Sequence, residues 1–149
     1  MDTVTYPDAS VSAYIAEYFV PVRAMLNTRE DWPLFRKYSV IWTPSFGFFD
    51  RNGTMHHSAA GYLPPREFLS LMRIGKARCL MAWTRSREAQ AHLEAAGSAG
   101  DALSAEALWW LGAARFLERR DSAGMWEAWN RLSEQYPDSP WAMRIYPME

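Results

Sequence analysis

The stretch Val40-Ile41-Trp42-Thr43-Pro44-Ser45-Phe46-Gly47-Phe48-Phe49-Asp50-Arg51-Asn52-Gly53 constrains the fold more than any other part of the chain. Pro44 has no amide to donate, so directly before an apolar run it belongs at a strand's first residue or in a specialised turn. Ser45 to Phe49 then reads as a short buried strand. Asn52-Gly53 supplies the positive φ of a tight hairpin turn, so the turn spans Asp50 to Gly53 and a second strand runs from Thr54 to Ala60. A helix follows at Pro64-Pro65-Arg66-Glu67, where a proline in the first turn costs no hydrogen bond. Phe68, Leu69, Leu71, Met72 and Ile74 form its apolar face.

Upstream, Tyr6-Pro7-Asp8 is a turn, with Asp8 or Ser10 as N-cap. Val11, Tyr14, Ile15 and Tyr18 recur at helical spacing. Residues 19–24, Phe-Val-Pro-Val-Arg-Ala, read as a strand held to a sheet edge by Pro21. Thr28 caps a second helix, with Glu30 and Asp31 in its first turn and Leu34, Phe35 and Tyr38 on its inner face. Helices and strands in this order make an α/β chain ending its sheet in an antiparallel hairpin.

With 149 residues the chain is long enough to bury a core. A net charge of −1 argues against nucleic acid as a partner, since phosphate binding demands a basic excess. No apolar run approaches the roughly 18 to 20 residues that span a bilayer, and Met1-Asp2-Thr3-Val4 does not read as a signal peptide. The expectation is a cytoplasmic protein with no membrane contact. One cysteine permits no internal disulfide.

The Thr43-Pro44 turn, the hairpin and Gly61-Tyr62-Leu63-Pro64 together resemble the second half of a thioredoxin domain, in which a cis Thr-Pro bond faces the redox site. Residues 1–22, ending in Phe19-Val20-Pro21-Val22, are similar to the segment that follows the Cys-x-x-Cys site in some members. The resemblance covers roughly residues 1–72 and implies a thioredoxin-like domain that lacks both the catalytic dithiol and the first strand. In that family the missing strand lies inside the sheet, between the segments 19–24 and 45–49. Either Met1 is internal to a longer protein, which is the preferred reading, or the two flanking strands pair directly or recruit a partner's strand, a route to a homodimer by strand exchange. The resemblance implies thiol–disulfide exchange, but the chain as written has no catalytic residue for it. What it retains is Trp42, Thr43 and Pro44, where the family pairs its backbone with extended protein segments.

Residues 73–149 read as a helical tail sharing the helix from Arg66 to Ala82. Ala77, Leu80, Ala89, Leu93 and Ala96 are echoed by Gly112, Arg115, Met125, Trp129 and Leu132, a period of about 35 that resembles tetratricopeptide repeats. Arg115 stands where an aromatic is usual, and the first copy ends in Gly97-Ser98-Ala99-Gly100 rather than a proline turn. As an alternative function, these helices present the partner surface of a non-catalytic interaction module, with Trp109, Trp110, Trp126 and Trp129 as anchors.

Other candidates carry ordinary readings. Cys79, mid-helix, is a small hydrophobe. His56 and His57 point to opposite faces of a strand, so they do not share a metal, and no cofactor is expected. Arg73, Lys76, Arg78, Arg85 and Arg87 read as a solvated face.

Overall fold

The computed structural model describes residues 1–145. Among these it is a mixed α/β, mostly helical chain with six helices and one small antiparallel sheet. Helix α1 (Ala9–Tyr18) starts where Asp8 Oδ1 accepts the amides of Ser10 and Val11 at 2.9 and 3.1 Å. Its inward residue Val11 is fully buried. Strands β1 (Ser45–Phe49) and β2 (Met55–Ala60) pair with Phe48 opposite His57, and a register irregularity follows at Phe48/Phe49. Alternation along β1 turns Phe46 and Phe48 toward the helices, where the Phe46 ring meets Phe68 at 4.9 Å.

Helix α3 (Pro65–Ala82) holds the two halves together. Its first turns give Phe68, Leu71 and Met72 to a core shared with Val11 and Phe48. Its later turns give Ile74, Ala77 and Leu80 to a larger core with α4 (Ser86–Gly97), α5 (Ser104–Arg119) and α6 (Ala123–Gln135). A fully buried large side chain such as Ile74 contributes about 1.5–3 kcal/mol. Gly75 permits the close approach of sheet and helix, since a Cβ there would lie 2.3 Å from the Phe48 ring. Consecutive helices pack in sequence order, α3 on α4, α4 on α5 and α5 on α6. The α4–α5 turn is pinned by Asp101, whose Oδ2 accepts the Ser70 hydroxyl at 2.6 Å, and by Ser104 Oγ, which donates to Ala96 O at 3.0 Å.

Two expectations fail between α1 and β1. Residues 19–24 form no strand: the backbone is extended at Phe19 (φ −134°, ψ 154°), but Val20 to Ala24 have no backbone hydrogen bonds among the described residues. A strand exists only through a neighbour's ladder, and none lies alongside. The second helix also starts later than Thr28, whose side chain makes no cap. A short 3₁₀ turn over Arg29–Asp31 leads into α2 (Trp32–Lys37), and Asp31 Oδ2 accepts the Met25 amide instead. Leu34, expected on the inner face, is exposed, whereas the Tyr38 ring lies 4.7 Å from Phe49.

Candidate functional site

The residues expected to meet an extended segment sit together at the start of β1. The Thr43–Pro44 bond is cis. Pro44 O accepts the Gly61 amide at 2.8 Å, which closes the open end of the hairpin, and Ser45 Oγ donates to Trp42 O at 2.7 Å. Trp42 is 70% exposed and Ile41 95%, while Thr43 is exposed and Pro44 half-buried. In the segment that follows α1, Val20 and Val22 are 92% and 84% exposed. From Ser12 through Gly47 no residue is buried. Single exposed apolar residues are ordinary; here four large ones, Val20, Val22, Ile41 and Trp42, stay exposed in a chain whose strand β1 is unpaired on one edge.

Tertiary packing uses much of the tryptophan surface in the tail. Trp109 lies nearly parallel to Trp129 (6.1 Å, 22°) and edge-on to Trp110 (4.8 Å), while Trp126 meets Trp129 edge-on at 5.5 Å. Trp129 Nε1 donates to Trp109 O at 3.0 Å and rests where a Cβ on Gly112 would stand. All four indoles are half-buried, and Trp141 adds a fifth against Trp109. They form an aromatic slab between α5 and α6.

Polar side chains gather at the seam between sheet and tail, a feature the sequence reading missed. Asp50 Oδ1 accepts the Asn52 and Thr54 amides at 2.9 and 3.0 Å; Oδ2 accepts His56 Nε2 at 2.9 Å and Trp83 Nε1 at 3.0 Å. These donors, His56 foremost, hold its carboxyl well below the usual carboxylate range. The turn is thereby bolted to the end of α3. Deeper in, Arg78 Nη1 lies 3.0 Å from His57 Nδ1, and His57 Nε2 is 3.7 Å from Glu106 Oε1. Burial and the Arg78 charge lower the His57 imidazole to about 4, and burial raises the Glu106 carboxyl. Arg78 therefore departs from the solvated-face reading: it is half-buried, with its guanidinium 4.3 Å over the Trp110 ring. Strand alternation, which sets His57 opposite the inward Phe48, was the available signal.

The remaining candidates are structural. Burial pushes the Cys79 thiol up, away from a reactive thiolate. His92 Nδ1 meets the Tyr14 hydroxyl at 2.8 Å, joining α4 to α1. No helix among the described residues is long and apolar enough to cross a membrane. No protein-family model, curated protein or solved structure matches the chain.

Proposed function

We propose that the chain is a protein-binding module of thioredoxin type, with residues 1–72 as its thioredoxin-like part and 73–149 as its tetratricopeptide-like tail. It takes an extended protein segment along the outer edge of β1, starting at Trp42-Thr43-Pro44. The observation that carries this reading is the pair of exposed apolar side chains Ile41 and Trp42 leading directly into a strand with one free edge, with Val20 and Val22 also left uncovered. A partner strand would pair the free amides and carbonyls while removing apolar surface from water, at about 25 cal/mol per Å² covered. The cis Thr43–Pro44 bond, hairpin and following helix support the thioredoxin assignment. These 149 residues contain no Cys-x-x-Cys pair, so as written they hold a partner without exchanging a disulfide with it. The tail reading is weaker, because the four tryptophans already pack on one another.

Hydrogen exchange tests the proposal, with a permanently unfolded, carboxymethylated polypeptide as probe. Binding should protect the outward amides of Ser45 to Phe49, and Ile41→Ser with Trp42→Ala should weaken it by at least about 10-fold. Protection that appears without probe and grows with protein concentration would name a second copy as occupant. Unchanged affinity in the double variant sinks the edge reading. Loss of affinity in Trp126→Ala instead would move the partner surface to the tail.

A further inference from the structure

Arg78 is a cation with most of its hydrogen-bonding capacity unused. It projects from α3 into the seam between β2 and α5, where the guanidinium lies over the Trp110 ring. Nη1 donates to His57 Nδ1, an uncharged acceptor. That contact puts the proton of neutral His57 on Nε2, which is buried, has no hydrogen-bond partner and stands 3.7 Å from the nearest acid, Glu106. Among the described residues no carboxylate comes within 4.0 Å of Arg78. Glu106 is the acid at this seam, and its Oε1 accepts the Trp110 indole N–H at 3.3 Å.

The electrostatics agree with that geometry. Burial pushes the Arg78 guanidinium below its ordinary value despite the opposing pull of Glu106. The Arg78 charge in turn helps depress His57. A partly desolvated cation short of a counter-ion is costly, and an anion is what relieves it.

Two shallow clefts adjoin at this guanidinium. One, of about 340 Å³, runs along β2 past His56, His57 and Ser58. The other, of about 280 Å³, is walled by Met81, Ala82, Trp110 and Leu117. We propose that Arg78 anchors a carboxylate ligand whose apolar body lies in the second cleft against Met81, Trp110 and Leu117. One guanidinium with its remaining N–H groups in a planar fork matches a singly charged, planar carboxylate. A phosphate dianion would call for a second unpaired cation. His56 does not supply one, because Asp50 already holds it. The site is separate from the β1 edge and stands whether or not that edge binds protein.

Calorimetry on the full chain with sodium benzoate, neutral benzamide and the dipeptide acid acetyl-Gly-Phe tests the assignment. Benzoate or the dipeptide acid should bind with a Kd of about 1 mM or tighter. Benzamide should bind at least about 10-fold more weakly, since it lacks the charge that the fork recognises. Benzoate binding alone points to a free carboxylic acid, and dipeptide binding alone to a protein carboxyl terminus; both support the site. Arg78→Gln should abolish binding. Because that change touches a half-buried group, Leu117→Glu at an exposed position gives an independent arm. It places a carboxylate beside Arg78 and should block binding, whereas Leu117→Gln, which removes part of the apolar wall without adding charge, should weaken binding measurably but less than Leu117→Glu does. The proposal is overturned if neither acid binds, if benzamide binds as well as benzoate, or if Leu117→Glu leaves affinity unchanged.

Discussion

Replacing His57 with glutamine should make the fold markedly less sensitive to acid. His57 is nine-tenths buried between Phe48, Arg78 and Glu106, and its imidazole is lowered to about 4. In the unfolded chain the same group takes its proton near 6.5. As pH falls through that window the unfolded state binds the proton first, so folding loses stability between about pH 6.5 and pH 4. Integrated from about pH 7 to pH 4.5, the His57 contribution to that loss is about 2 kcal/mol. His92, also lowered by burial, adds loss of the same sign, whereas Glu106, raised by burial, opposes it. Comparing wild type with His57→Gln at both pH values removes those shared contributions to first order. Urea unfolding followed by tryptophan fluorescence is the assay, since the chain carries 8 tryptophans. The variant should lose about 2 kcal/mol less than wild type on acidification. Equal losses in the two proteins would refute the assignment of the acid response to this seam.

Two further substitutions probe how the fold is held. Gly75→Ala forces a Cβ into the Phe48 ring and should cost about 1–3 kcal/mol in chemical denaturation, as overpacking of a buried contact does; a neutral effect would show that Phe48 can move aside. Asp8→Ala removes the acceptor for the Ser10 and Val11 amides and should cost about 1 kcal/mol, with amide exchange accelerated in the first turn of α1.

Local chemistry made the hairpin region readable before the structure. Strand Ser45–Phe49 and the start of α3 stand where proline and Asn-Gly place them, because turn geometry and missing amides act within a few residues; the strand expected to be buried has only Phe48 buried, since one face of a two-stranded sheet has nothing to cover it. Asp8 caps α1 for the same reason. The expected strand at residues 19–24 failed because strand formation is a property of a pair. Phe-Val-Pro-Val has the composition of a strand, and without a neighbour it stays irregular: Phe19 packs on Phe48 while Val20 and Val22 remain exposed.

The sequence alone therefore determined the hairpin turn, the Asp8 cap and the apolar periodicity of α1 and α3, and it singled out Trp42-Thr43-Pro44 as a candidate edge. Within these 149 residues the single cysteine also permits no internal disulfide. Tertiary structure alone decided which apolar residues stay uncovered, that four spaced tryptophans close into one slab, and that Arg78, His57 and Glu106 meet. Those three come from α3, β2 and α5, and no sequence spacing brings them together. Their meeting depends on how sheet and helices dock across Gly75, and the low-dielectric seam created by that docking gives an ordinary arginine and histidine their altered chemistry.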